Sequence, residues 1–208
     1  MEEIKIGSQI WMKRNLDVSV FQNGDEIPEI KSDEKWNDAS PILVGEKIAA
    51  CCYYNNSSNE NLKYGKLYNW QAVIDERGLA PKGWRIATGQ DWVQLFEFLG
   101  ENIHSAIKDQ NDWNRNVGCL DRFLVRFTKI KIPDYPLLNE SGLTILPGGL
   151  RTEVGSFGGV KDYANFWCAS LNKWTDEPYD LIINPYAYNF SSSYRRGEGR
   201  SIRCVKIE

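Results

Sequence analysis

Glycines in the last third of the chain restrict the possible folds more than any other feature of the sequence. Turns around Gly148-Gly149, Gly155, Gly158-Gly159 and Gly197 to Gly199 lie among the short runs Leu143 to Leu146, Phe166 to Ser170, Leu181 to Ile183, Tyr186 to Phe190 and Ser201 to Ile207. Short apolar runs between turn residues read as strands, so this third is expected to be antiparallel sheet. At the other end, Ile4 and Ile6 alternate with Lys5, and Gly7-Ser8 supplies a type II′ turn before Gln9 to Met12, which predicts an opening β-hairpin. The chain from Phe21 to Ser58 is broken by Asn23-Gly24, Pro28 and Pro41 and reads as loop, with a short strand over Ile48 to Tyr54.

Two helices are expected between these regions. Leu67, Trp70 and Ile74 recur at helical spacing ahead of Gly78 and Pro81, which predicts a helix over 67–76. The second is better marked: Thr88 as cap, Asp91 three residues on, then Trp92, Leu95, Phe96 and Leu99 on one face before Gly100. Residues 103–138 fit either period, since Leu120, Phe123, Leu124 and Phe127 suit a helix while Phe123, Val125 and Phe127 suit a strand. Helices early, strands late and no βαβ alternation point to a loop-rich α+β architecture.

At 208 residues with 42% hydrophobic content, one domain with one substantial core is the default. A net charge of -3 and the absence of a Lys/Arg run argue against nucleic acid as a partner. No stretch reaches the length of a membrane span, and Met1 to Gln9 lacks the apolar core of a secretory signal, so a soluble, non-exported chain is expected. Five cysteines, Cys51, Cys52, Cys119, Cys168 and Cys204, form an odd set without zinc-type spacing. They read as buried free thiols, or with one bridge, for instance Cys168 to Cys204.

Several phrases occur in order along the chain: Ile6-Gly7-Ser8-Gln9-Ile10-Trp11-Met12, Cys52-Tyr53-Tyr54-Asn55-Asn56, Tyr64-Gly65-Lys66-Leu67-Tyr68-Asn69-Trp70, Gly83-Trp84-Arg85-Ile86, Leu146-Pro147-Gly148-Gly149 with Arg151, Phe166-Trp167 and Ser201-Ile202-Arg203-Cys204-Val205-Lys206. Together they resemble the Fibrobacter succinogenes major paralogous domain, a family abundant in Bacteroidetes whose members usually carry a lipoprotein or secretion signal. That family is similar, more distantly, to formylglycine-generating enzymes and to the C-type lectin-like fold. The resemblance therefore implies a small twisted sheet flanked by two helices. The chain departs from the family where members show Tyr-Trp-Trp-Ser-Ser and it has Asn165 to Ser170, and its segment from Arg115 to Leu138 reads as an insertion into a domain spanning 1–208.

The chemistry of these relatives is not matched residue by residue. Formylglycine-generating enzymes need a pair of reactive cysteines, whereas Cys204 matches only a terminal-strand position and Cys168 has no second thiol nearby in sequence. Calcium-dependent lectins use a Glu-Pro-Asn loop followed by Trp-Asn-Asp, whereas here Glu177-Pro178-Tyr179 lacks the amide and Trp36-Asn37-Asp38 lies upstream. Asp162, Asp176, Glu177 and Asp180 remain as oxygen donors on acidic loops. The single imidazole, His104, reads as a solvated side chain, and with no nucleotide or zinc-hydrolase motif no cofactor is expected.

Recognition is a better match to the composition. Between Lys173 and Arg200 the chain gathers Trp174, Tyr179, Tyr186, Tyr188, Tyr194, Arg195 and Arg196 with Asn172, Asn184, Asn189 and Ser191 to Ser193. These are the residue types that binding surfaces favour, because rigid rings give contact area at low entropy cost while small polar groups adapt. Proteins diversified by retroelements, which the family resembles in fold, vary a C-terminal segment of this kind. The candidate ligand-binding residues are Trp174, Tyr179, Tyr186, Tyr188, Asn189, Tyr194 and Arg195, whereas Trp11, Trp70, Trp84, Trp92 and Trp167 are expected in the core and Arg151 and Arg203 as structural cations. The expected function is a non-catalytic binding or display module for a glycan or a protein. The alternatives are a component of a surface or phage-like assembly and, last, an oxidase of the formylglycine-generating type.

Overall fold

The computed structural model describes residues 2–39, 47–108, 111–114 and 136–207. Its opening hairpin joins β1 (Glu3–Ile6) to β2 (Gln9–Met12) across a turn in which Gly7 takes φ +60°, a conformation glycine adopts without a Cβ penalty. The last strand comes back beside the first hairpin, because β11 (Cys204–Lys206) pairs with β2 on one side and with β5 (Trp84–Ile86) on the other. Both ends of the described chain are thus held in one four-stranded sheet of order β1-β2-β11-β5.

The best-marked helix forms as expected. In α4 (Gly89–Leu99), Thr88 Oγ1 accepts from Asp91 N at 3.2 Å while the Asp91 carboxylate accepts from Thr88 N at 2.7 Å, closing a capping box. Burial alone would raise the Asp91 carboxyl, but the Arg85 guanidinium, at 2.5 and 2.7 Å, and the Thr88 donors hold it below the usual carboxylate range. The apolar face of α4 buries Trp92, Leu95 and Phe96 against Trp11 and Phe166, with Trp92 4.7 Å from Trp11 and 5.2 Å from Phe166. A second core surrounds Trp70, Trp84 and Trp167, so all five expected core tryptophans are buried.

The helix expected over 67–76 is mostly absent. Leu67–Tyr68 is strand β4, paired with β3 (Cys51–Cys52), and α3 covers only Trp70–Val73. Asn69 enforces the break, since its Oδ1 accepts from Ala72 N at 3.1 Å as an N-cap and also from Ala50 N at 3.0 Å. The strand expected over 48–54 shrinks to Cys51–Cys52, the two residues that pair with Tyr68 and Leu67. Among the described residues three further α-helices are short: α1 (Asp33–Ala39), α2 (Ser58–Asn61) and α5 (Ile103–Ile107). Leu120, Phe123, Leu124, Val125 and Phe127, with most of the expected insertion, lie outside the described residues.

A five-stranded sheet of order β10-β9-β8-β6-β7 occupies the last third, built from β6 (Gly148–Arg151), β7 (Phe157–Val160), β8 (Ala164–Leu171), β9 (Pro178–Ile183) and β10 (Tyr188–Ser192). It is not wholly antiparallel as expected, because β8 crosses to the other side of β6 and pairs with it in parallel at Gly149 and Ala164. Gly148-Gly149 and Gly158-Gly159 are strand residues, not turns; a Cβ on Gly149 would lie 2.5 Å from Gly158 O, so glycine here serves close approach of two strands. Leu143 to Leu146 forms no strand, yet Leu143 and Ile145 are fully buried.

Buried cations and thiols complete the interior. Arg203 donates to Met12 O, Leu143 O, Thr144 O and Asn15 Oδ1 at 2.8–3.2 Å, and Arg151 to Gly155 O, Ile30 O, Lys31 O and Asp33 at 2.6–3.2 Å. Cys51, Cys52, Cys168 and Cys204 are buried free thiols, so Cys168 and Cys204 are not bridged; Cys119 lies outside the described residues. His104 corrects the expectation of a solvated imidazole. It is buried on α5 beside Lys108, and burial pushes it down to about 3.

Candidate functional site

The turn from β8 to β9 is built by its own side chains. Asn172 Oδ1 accepts from Trp174 N at 2.9 Å, Asn172 N donates to Glu177 O at 2.8 Å, and Asp176 N donates back to Asn172 O at 2.8 Å. The Glu177 carboxylate accepts from Thr175 Oγ1 and from Ser192 Oγ, both at 3.0 Å, the latter tying the turn to β10. Asp176 sits at φ +55°, a left-handed position that an aspartate tolerates through local hydrogen bonds. The fixed turn leaves Trp174 84% exposed, with Lys173 Nζ 5.5 Å from its ring.

The neighbouring loop after β10 carries Tyr194 and Arg195. Tyr194 is 66% exposed, and the Arg195 guanidinium lies 5.7 Å from its ring and 3.4 Å from Glu198. Underneath, Arg200 pairs at 2.5 Å with both Asp180 and Glu198, all three being buried, and its guanidinium lies 4.8 Å over Trp167. A backbone bond from Trp70 N to Arg196 O and an indole bond from Trp36 Nε1 to Gly197 O, each 3.0 Å, fasten the same loop to the second and third cores. Arg196 joins the two loops by an ion pair with Asp176 at 3.3 Å.

The seven sequence-predicted residues therefore fall into three environments. Trp174, Tyr194 and Arg195 project from braced loops. Tyr188 and Asn189 are exposed on β10, although the Tyr188 ring, 41% exposed, also packs 4.4 Å from Phe96. Tyr179 and Tyr186 are half-buried, Tyr179 against the first core. The sequence reading placed Asn172 in the recognition cluster and gave Asp176, Glu177 and Asp180 as oxygen donors on acidic loops, whereas here Asn172, Asp176 and Glu177 shape the turn and Asp180 pairs beneath the loop with Arg200, which, like Glu198, it did not single out. An Asn two residues before an exposed Trp is a local turn signal that points to the first set.

The acidic side chains here are engaged internally: Asp180 by Arg200, Asp176 by Arg196, Glu177 by the two hydroxyls. Among the described residues no group of three His, Cys, Asp or Glu side chains is placed to hold a metal ion. No helix among them is long and apolar enough to cross a membrane.

Fold and surface together define a mixed α+β domain that carries exposed aromatic loops on a braced sheet. The chain matches the Fibrobacter succinogenes major domain over residues 4–206 and belongs to that family. Nothing among curated proteins or solved structures matches it.

Proposed function

We propose that this domain is a non-catalytic binding module, on a C-type lectin-like scaffold, that engages a glycan or a protein through Trp174, Tyr194 and Arg195. The observation that carries the reading is the exposure of the Trp174 indole at the tip of a turn whose backbone and carboxylates are already hydrogen-bonded. An indole left in water contributes nothing to the core, yet a stiff turn presents it with little entropy left to lose on binding. Rings of this kind serve equally as stacking platforms for sugar faces and as anchors in protein pockets.

The four described thiols support a non-catalytic reading. Burial pushes Cys51, Cys52 and Cys204 up to about 12 and Cys168 higher still. Oxidase chemistry at cysteine needs the opposite, an accessible thiol with a lowered pKa.

Glycan arrays and affinity capture with the intact chain test the proposal, with Trp174→Ala and Tyr194→Ala alongside. Each variant is expected to keep its thermal midpoint while losing at least about tenfold in affinity for whatever ligand is bound, the scale of a hot-spot aromatic. A ligand held equally well by both variants would refute the site, and the absence of any ligand would refute the function.

A further inference from the structure

We propose that the cleft between the opening hairpin and the last strand binds a small hydroxylated carboxylate, of the size of a sugar acid. The cleft shares no residue with the Trp174 turn and is independent of the role proposed for that turn.

Strand pairing sets where the cleft lies. β11 pairs with β5 along all three of its residues but with β2 only at Val205 and Trp11. Past that single pair, the end of the hairpin and the end of the last strand line a cavity of about 510 Å³, with side chains of β5 and α4 completing it. Small-molecule clefts span about 300–1,000 Å³, so the space suits an organic molecule rather than a lone ion.

Charge in the cleft runs against that of the chain. Lys5, Arg85 and Lys206 line it beside one carboxylate, Asp91, in a chain of net charge -3. Asp91 is buried and fully engaged: Oδ1 accepts from Arg85 at 2.7 Å and from Gln9 Nε2 at 3.3 Å, and Oδ2 accepts from Arg85 at 2.5 Å, Thr88 N at 2.7 Å and Thr88 Oγ1 at 2.6 Å. Lys5 is exposed, and among the described residues no carboxylate pairs with it. Lys206 meets Glu3 at 2.8 Å, but both side chains are nearly half exposed, and a pair so wet is weak enough for a bound anion to replace. Excess positive charge held in a walled cleft draws an anion.

The donors on offer select the kind of anion. Phosphate favours backbone N–H groups converging at a helix N-terminus, and the start of α4, which reaches the cleft through Asp91, is already closed by its capping box with Thr88. Side-chain ammonium groups remain, and they suit a carboxylate. Gln94 Nε2 donates to Ser8 Oγ at 2.8 Å, which leaves the Gln94 carbonyl oxygen to accept and the Ser8 hydroxyl to donate. A ligand that meets both carries hydroxyls, while Ile10 and Val205 give its carbon frame an apolar wall. The chain on either side of residues 115–135 bonds elsewhere: Asn114 N donates to Lys161 O at 2.7 Å and Leu138 N to Ser105 O at 3.2 Å, and neither acceptor lines the cleft.

Titration of the intact chain with D-glucuronate, followed residue by residue in amide and side-chain NMR spectra, tests the proposal, with glucose and inorganic phosphate as comparison probes. Saturable shifts at Ser8, Gln9, Gln94 and Lys206 are expected in the millimolar range, while the Trp174 indole resonance stays in place. Glucose lacks the charge and phosphate lacks the hydroxylated frame, so each is expected to bind at least about tenfold more weakly. Lys5→Glu should keep the thermal midpoint and abolish the glucuronate shifts, and Lys5→Arg should bind within about twofold of the unaltered chain. Absence of saturable shifts at the cleft overturns the proposal. So does glucose binding as well as glucuronate, phosphate binding as well as glucuronate, which would mark an unselective anion patch, or indifference to Lys5→Glu. Should Lys5→Glu not fold, Lys5→Gln decides, with binding expected to weaken by about threefold or more. Shifts at Trp174 with none at the cleft would overturn this site and support the other.

Discussion

Lys108 Nζ lies 2.7 Å from His104 Nδ1, one helical turn back, and the same amine donates to Asn184 O in the β9–β10 turn. Lys108 is fully buried, with Trp113 as its ring neighbour at 4.9 Å. Burial pushes its amine down to about 6, so the folded chain holds it neutral at pH values where an unfolded chain protonates it.

The sign of the pH dependence follows. Between about 6 and the ordinary lysine value the unfolded state binds the extra proton, so burying this amine costs stability, and that cost grows as pH falls toward 6 and shrinks as pH rises. His104, pushed down to about 3 by burial and by Lys108, adds a further cost as pH falls below the usual imidazole value. The unfolding free energy of the unaltered chain is expected to rise from pH 6 to pH 8 by about 1 kcal/mol per pH unit more than that of Lys108→Met, measured by urea denaturation. Equal slopes for the two proteins would mean that Lys108 is not held neutral.

Arg203 makes a second testable point about buried cations. Its guanidinium joins β2, through Met12 O, to the Leu143-Thr144 segment, and burial pulls it down to about 9. Arg203→Met fills similar volume but leaves three carbonyls and the Asn15 amide oxygen without their donor. A loss of about 3–5 kcal/mol in urea denaturation is expected, the scale for breaking a buried charged contact. A smaller loss, below about 1 kcal/mol, would show that water replaces the guanidinium there.

What the sequence revealed and what it hid divide along contact range. Thr88 and Asp91 are three residues apart, so α4 and its capping box were legible, and the hairpin turn at Gly7-Ser8 was equally local. The helix expected over 67–76 failed because Asn69 acts on Ala50 as well as Ala72 and because Leu67 and Tyr68 find strand partners at Cys52 and Cys51. His104 is buried beside Lys108, whose amine reaches the distant Asn184, a contact that no periodicity marks. For the candidate site, composition singled out Trp174 and Tyr194. It did not reveal Arg200, whose role rests on Asp180 across the sheet.

Removing Arg200 exposes that hidden role. Arg200→Met leaves Asp180 and Glu198 buried without their shared counter-charge, a penalty larger than deleting either carboxylate alone, since Asp180→Asn and Glu198→Gln each leave Arg200 one partner. The expected order of stability in thermal melts is Glu198→Gln above Arg200→Met, with the latter lower than the unaltered chain by about 3 kcal/mol or more. Faster amide exchange over residues 194–199 should accompany it, because this loop is the part those charges hold down. Reversal of the order would mean that Arg195, not Arg200, carries the Glu198 contact.

Gly149 offers the sharpest steric test of the five-stranded sheet. Its φ is +67°, and a Cβ would meet Gly158 O at 2.5 Å, the Tyr54 ring at 2.8 Å and Val160 N at 2.8 Å. Two of these three neighbours are backbone of the adjacent strand β7, so relief requires moving β7 away from β6 and with it the hydrogen bonds between them. Gly149→Ala is therefore expected to cost more than the conformational penalty alone, about 2 kcal/mol or more in chemical denaturation. Gly158→Ala, where a Cβ would meet open space, should cost under about 1 kcal/mol. If the two substitutions prove equally mild, β6 and β7 do not approach as closely as described, and the parallel pairing of β6 with β8 loses its support on that side.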